Sequence, residues 1–324
     1  MKKNFLKFNN SFKNKSFVSI NQFSSKREVE IIFKTADKMK NLVKNRAVNG
    51  LLKGYCVAEL FYQPSTRTFT SFLGAANWLG ALAIPIHGMS AYSSAVKGES
   101  LADSIRSIYQ TSAADLIILR HPDDDSSEIA AKNSYVPVIN AGSGKKEHPT
   151  QAILDLYTIN QKLKKTDNLT VAMVGDLKNG RTIKSLALIL SLVDKKNKFI
   201  FVSPDTLRAP MSLINKLKSA KVEVYETDDL NEIMPKVDVL YVTRIQKEWF
   251  AKEEEYNAVC GSFIIDHKIM RKAKKKMIVM HPLPRVNEIS TEVDSDPRAA
   301  YFRQMRSGLY TRMALLKLIL LGNK

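Results

Sequence analysis

The stretch YCVAELFYQPSTRTFTSFLGAANWLGALAIPI, residues 55–86, decides the architecture. Residues 55–61 form an apolar run interrupted by Glu59, the pattern of a strand buried on both faces. Gln63-Pro64 turns the chain into Ser65-Thr66-Arg67-Thr68, and residues 69–79 continue with helical spacing. Residues 81–86 make a second strand. Strand, helix and strand in so short a span predict parallel pairing through a crossover helix.

The same alternation extends in both directions. Upstream, Val29, Ile32, Phe33, Ala36, Met39 and Leu42 predict a helix over 26–43. Downstream come a helix at 101–112, a strand at 115–119, a helix at 126–132 and a strand at 137–139. A helix at 151–161 then leads into a second series. It has strands at 169–174, 199–202, 222–225, 237–242 and 277–280, helices at 183–192 and 210–219, and a helical turn at 230–234. A helix over 299–321 closes the chain. The expected fold class is α/β, with two doubly wound parallel-sheet domains joined by bridging helices. Residues 1–149 with 302–324 form the first domain, and residues 150–301 the second. In such sheets ligands sit at the carboxyl ends of the strands, where strand order switches direction.

Composition narrows the function classes. The chain has 324 residues, 44% hydrophobic and 25% charged, the balance of a globular protein that buries its own core. The apolar stretch 314–321 is interrupted by Lys317 and is far short of the ~20 residues a bilayer needs, so no membrane role is expected. Cys56 and Cys260 stand alone, which fits a reducing, cytoplasmic setting and excludes a disulfide framework. The five histidines form no HxxxH pair, so no metal site is expected. The net charge of +18 admits nucleic-acid binding. There is no RNP motif and no aromatic-interleaved basic stripe, however, and the lysines fall in short runs such as 162–165 and 272–276. The excess therefore reads as composition on solvated faces, with no nucleic-acid partner. Residues 1–15 carry lysines and no acid, lack the apolar region of a secretory signal, and read as a short frayed terminus.

The chemistry concentrates at strand-to-helix junctions. Ser65, Thr66, Arg67 and Thr68 offer hydroxyls, a guanidinium and helix N-terminal N–H groups, which by themselves make either a phosphate site or a simple N-cap. Arg120-His121-Pro122 follows the strand at 115–119, and His148-Pro149-Thr150-Gln151 opens the next helix. Arg181 follows the strand at 169–174, and its neighbourhood lacks GxGxxG, which excludes a dinucleotide site. Arg244-Ile245-Gln246 and His281-Pro282-Leu283-Pro284-Arg285 follow the last two strands. The two prolines remove donors and leave carbonyls available to a ligand. Lys97, in a small-residue loop, reads by itself as a solvated lysine, with a lid that brings charge to a bound anion as the alternative. Arg67, Arg120, Arg181 and Arg244 all read as lying just after strands, which implies substrates with several anionic groups.

Ser65-Thr-Arg-Thr68, His148-Pro-Thr-Gln151, Arg244-Ile-Gln246 and His281-Pro-Leu-Pro-Arg285, in this order and spacing, resemble the aspartate/ornithine carbamoyltransferase family from about Phe17 to the C-terminus. The resemblance implies that Ser65, Thr66, Arg67 and Thr68 bind the phosphate of carbamoyl phosphate. It implies that Thr68, Arg120 and His148 reach its carbonyl oxygen, with Gln151 and the carbonyls of Leu283 and Pro284 near its amide. Arg67, Thr68, Arg120 and His148 would be the catalytic set. Arg181, Arg244, Gln246 and Lys97 would bind aspartate, Ser93 and Lys97 being lent by a neighbouring subunit of a homotrimer. No cofactor is implied, and regulatory chains are left open. The ornithine branch carries His-Cys-Leu-Pro where this chain has His281-Pro-Leu-Pro284, and it lacks the Arg244/Gln246 pair. A strand-end arginine would repel a cationic acceptor, so aspartate is the expected acceptor, with ornithine or another amino acid as the alternative. Phe69 departs from the arginine common after the phosphate loop and is expected to pack on the core.

Overall fold

The computed structural model describes residues 7–47 and 50–323. It divides into two compact units. One holds the described residues through Leu154 together with those from Arg306 onward, and the other is Asp155–Met305.

The first unit contains strands β1 (Cys56–Phe61), β2 (Leu82–His87), β3 (Leu116–His121) and β4 (Val138–Ser143). They form a wholly parallel sheet of order β2-β1-β3-β4. Its helices are α1 (Lys26–Lys44), α2 (Thr66–Leu79), α3 (Met89–Tyr92), α4 (Leu101–Ser112) and α5 (Ser126–Asn133). The second unit contains β5 (Thr170–Val174), β6 (Lys198–Val202), β7 (Val224–Thr227), β8 (Val239–Val242) and β9 (Ile278–Met280), again all parallel, in the order β7-β6-β5-β8-β9. The boundary between the units falls inside α6 (Pro149–Leu163) and again inside the long C-terminal helix. Within the second unit lie α7 (Arg181–Val193), α8 (Met211–Ser219), α9 (Leu230–Ile233), α10 (Glu253–Asn257) and α11 (His267–Lys272), and the C-terminal helix is α12 (Tyr301–Leu321).

Both sheets are the doubly wound parallel kind that the sequence predicts. Strand order switches direction between β1 and β3 in one sheet and between β5 and β8 in the other, and these gaps open ligand crevices at the strand ends. Burial follows the alternation of side chains. Ala58 and Leu60 pack with Ile117 and Leu119 on one face of the first sheet, against Ile105 and Ala130 of the covering helices. In the second sheet Ala172, Val174, Leu240 and Val242 pack with Ile233 and Met270. Among the described residues, no helix is long and apolar enough to cross a membrane.

Several expectations are corrected. Residues 8–23 are not frayed. Phe8 and Phe12 are fully buried, and the Phe8 ring lies 4.5 Å from Phe12, 5.6 Å from Phe17 and 5.0 Å from Phe23. An aromatic cluster of this size anchors the segment despite its basic composition. The first six residues of that expectation lie outside the described residues. Of the four arginines, Arg244 lies nearest beyond a strand, two residues past the end of β8. Arg67 sits in the first turn of α2, Arg120 belongs to β3, and Arg181 opens α7. Helices α2 and α7 start earlier than hydrophobic periodicity suggests, because first-turn residues are polar and leave no apolar mark.

Candidate active site

In the first unit, the segments that carry the candidate residues leave the carboxyl ends of adjacent strands. Phe61 of β1 pairs in register with Arg120 of β3, and the Tyr62 N–H donates to the Arg120 carbonyl at 2.9 Å. Ser65 then takes the N-cap position of α2 without spending its side chain on a cap hydrogen bond. The N–H groups of Thr66, Arg67 and Thr68 have no carbonyl of their own helix to meet, since the first helical bond runs from the Phe69 N–H to the Ser65 carbonyl at 3.2 Å. This is the geometry that receives an anion. Thr68 is buried, whereas Thr66 and Arg67 are exposed. Phe69 packs against Phe61, with ring centroids 5.1 Å apart, and against His87 at 5.2 Å.

Arg120 is half-buried, and its Nη1 donates to the Ala141 carbonyl of β4 at 3.3 Å, which aligns the side chain across the sheet end. β4 leads to Glu147 and His148. The Glu147 carboxylate accepts from the Ser19 hydroxyl at 3.0 Å and the Ile20 N–H at 3.1 Å, so the ordered N-terminal segment braces this loop. Burial raises the Glu147 pKa against the pull of those donors. His148 and Gln151 are both buried, and the Gln151 N–H donates to the His148 carbonyl at 3.1 Å as α6 begins. Ser93 and Lys97 follow the edge strand β2 in the chain. The Ser93 hydroxyl donates to the Met89 carbonyl at 2.6 Å, and Lys97 is exposed at the end of a short 3-10 turn.

In the second unit, Arg181, Arg244, Gln246, Leu283 and Pro284 follow three neighbouring strands, β5, β8 and β9. Gly175 ends β5 at φ 115°, and a Cβ there would lie 2.1 Å from the Thr243 carbonyl oxygen, so only glycine lets the two strand ends approach. Asp176 is fully buried and accepts from the Asn179 N–H at 3.0 Å, shaping the loop that delivers Arg181. A pocket lies at this switch point, lined by Gly175, Thr243, Ile245, Tyr256 and Glu288 among others. Arg244 and Gln246 are half-buried beside it. Among the described residues, no three His, Cys, Asp or Glu side chains gather in a way that could hold a metal ion. Cys56 and Cys260 are free thiols.

Hydrophobic patterning does not reveal a buried polar set behind this site. Asp155, Tyr241, Gln304, His281 and Glu288 are all at most 7% exposed and hydrogen-bonded to one another in one continuous chain. His281 is marked by its motif and Asp155 by standing as a lone polar residue in the apolar run Ala152-Ile-Leu-Asp155-Leu, but nothing in the sequence links the five.

The fold and its strand-end loops define a two-unit, all-parallel α/β protein with an anion-receiving helix start in one unit and a pocket at the strand switch point of the other. Residues 15–161 match the model of the aspartate/ornithine carbamoyltransferase carbamoyl-P binding domain, and residues 167–319 match that of the Asp/Orn binding domain. The chain belongs to the aspartate/ornithine carbamoyltransferase family. It is 48% identical to the multifunctional protein CAD of Squalus acanthias over 95% of its own length, which spans 14% of that much longer relative. It is 45% identical to the aspartate carbamoyltransferase catalytic subunit of Thermococcus kodakarensis, covering 95% of this chain and 98% of that one. Among solved structures it resembles aspartate transcarbamoylase from Trypanosoma cruzi in complex with N-(phosphonacetyl)-L-aspartic acid, with TM-score 0.90, 42% identity, and coverage of 96% and 97% of the two chains.

Proposed function

We propose that this chain transfers the carbamoyl group of carbamoyl phosphate to the amino group of L-aspartate, giving N-carbamoyl-L-aspartate and phosphate, an early step of pyrimidine biosynthesis. The observation that carries the reading is the retention of all four motifs, in order, at the strand ends of the family's fold. Residues 1–149 with 302–324 take carbamoyl phosphate, and residues 150–301 take aspartate. Ser65, Thr66, Arg67 and Thr68 hold the phosphate, and Arg181, Arg244 and Gln246 hold the aspartate carboxylates. The neutral amine attacks the carbamoyl carbon. A tetrahedral oxyanion forms, stabilised by Thr68, Arg120 and His148 as fixed donors. Gln151 and the Leu283 and Pro284 carbonyls receive the amide N–H groups. The intermediate collapses with release of phosphate, which carries the amine proton away. Holding both substrates at attack distance supplies much of the rate.

The chain works as a homotrimer in the cytoplasm, with Ser93 and Lys97 completing a neighbour's site. The exposure of Lys97 and of Tyr92, at 91%, supports this role for the segment. The test is a product assay with carbamoyl phosphate and either L-aspartate or L-ornithine, alongside light scattering. The expected outcome is carbamoyl-aspartate alone, from a particle of three chains. Ureido product from ornithine overturns the acceptor assignment, and no product from a trimer overturns the activity.

A further inference from the structure

Residues 281–288 fold around one imidazole. The Leu283 N–H donates to His281 Nδ1 at 2.8 Å. A backbone N–H can only donate, so Nδ1 is the acceptor and the ring proton sits on Nε2, 2.7 Å from Glu288 Oε1. Glu288 also accepts from the Val286 and Asn287 N–H groups, each at 3.2 Å. The backbone of His281 is held as firmly as its ring. Its N–H donates to Gln304 Oε1 at 3.0 Å, Gln304 Nε2 donates to Asp155 Oδ1 at 2.6 Å, and the Tyr241 hydroxyl donates to Asp155 Oδ2 at 2.7 Å. Leu283 itself has φ 56°, in the left-handed region that residues other than glycine occupy where their surroundings impose it. The imidazole is therefore clamped from both sides, and it clamps in turn the peptide that precedes the Leu283 carbonyl.

We propose that His281 is a positioning residue that aims the Leu283 and Pro284 carbonyls at the substrate amide and so makes the site select a carbamoyl phosphate over an acyl phosphate of the same shape without N–H groups. The inference rests on the function proposed above and extends it to the basis of donor specificity. A site built of hydrogen-bond acceptors rejects an analogue that lacks the donors, because the acceptors are then left unpaired.

The test compares His281→Asn with His281→Gln, reading the dissociation constants of carbamoyl phosphate and acetyl phosphate by calorimetry. Acetyl phosphate has a methyl group where carbamoyl phosphate has its amide nitrogen. The asparagine Oδ1 falls near the position of Nδ1 and keeps the acceptor for the Leu283 N–H. The longer glutamine reaches Glu288 instead and leaves that N–H without its acceptor. In His281→Gln the preference for carbamoyl over acetyl phosphate is expected to fall about tenfold, mostly through weaker carbamoyl phosphate binding, with His281→Asn within about threefold of wild type. Weakening of both ligands alike, or an unchanged preference in His281→Gln, overturns the proposal. If His281→Gln does not fold, Glu288→Gln replaces it. One amide oxygen cannot serve the ring and both N–H groups, so the preference falls about threefold, and an unchanged preference is equally fatal. A wild-type chain that binds the two phosphates equally overturns this inference, whereas the function beneath it falls only if the product assay gives no carbamoyl-aspartate. Wild-type preference that survives in the variants overturns this inference alone.

Discussion

Glu59 in the first unit and Glu288 in the second are both buried carboxyls, and they behave in opposite ways. Glu59 sits mid-strand in β1 with no exposure, and neither of its carboxyl oxygens finds a hydrogen-bond partner among the described residues. Burial pushes its pKa up to about 8, against the pull of Arg312. Arg312 lies 4.9 Å from the Phe72 ring centroid and is itself 3% exposed. Glu288 is 7% exposed, and burial raises its carboxyl too. There the His281 ring and backbone N–H groups outweigh burial and hold it below the ordinary carboxylate range. The difference is the supply of donors. A buried carboxyl without hydrogen-bond donors keeps its proton, whereas one given three N–H groups keeps its charge and organises a loop around it.

The contrast is sharpest at Asp155, whose two oxygens take the Tyr241 hydroxyl and the Gln304 amide. Asp155→Leu preserves shape while orphaning two fully buried donors, at about 1–3 kcal/mol each, so unfolding in urea should show a loss of about 2–6 kcal/mol. A loss under about 1 kcal/mol would mean that the donors find other partners and that the network is dispensable.

Glu288→Gln comes next. It keeps one acceptor and loses the charge, costing about 1–3 kcal/mol near neutral pH. Since the native carboxyl lies below its unfolded value of 4.5, this stabilisation is present above that value and disappears as pH falls through the native pKa. The gap between variant and wild type should therefore close in acid. A gap independent of pH would detach the charge from the stability of the loop.

The sheets, their order of appearance and most helices are legible in the sequence because parallel strands buried on both faces read as apolar runs and amphipathic helices keep their period. The candidate site is legible as motifs, since Ser65–Thr68, His148–Gln151, Arg244–Gln246 and 281–285 are local in sequence. What holds those motifs is not local. Tyr241, Asp155 and Gln304 are separated by 86 and 149 residues along the chain in their two contacts, and no periodicity links them. The aromatic anchor of residues 8–23 is hidden for a related reason. Its lysines dominate the composition, while Phe8, Phe12, Phe17 and Phe23 act only together, in three dimensions. Glu59 is visible as a charge in an apolar strand, but nothing in the sequence says that it lacks donors.

That lack gives the smallest effect and the one of opposite sign. Glu59 is raised from 4.5 in the unfolded chain to about 8 in the native one, so across this window the native state binds a proton that the unfolded state has released. Wild-type stability is therefore greatest below the unfolded value and falls as pH rises, by at most about 1.4 kcal/mol per pH unit, until the native carboxyl has itself ionised. Glu59→Gln puts a neutral group of the same shape in place of the protonated acid and removes this slope. Denaturation series at about pH 6 and 7 should show the variant gaining on wild type by up to about 1.4 kcal/mol, with no loss at the lower value. Parallel pH dependence in the two proteins would mean that Glu59 is ionised in the native state and finds its donors in ordered water, which would make it a second case of the Glu288 kind and dissolve the contrast between the units.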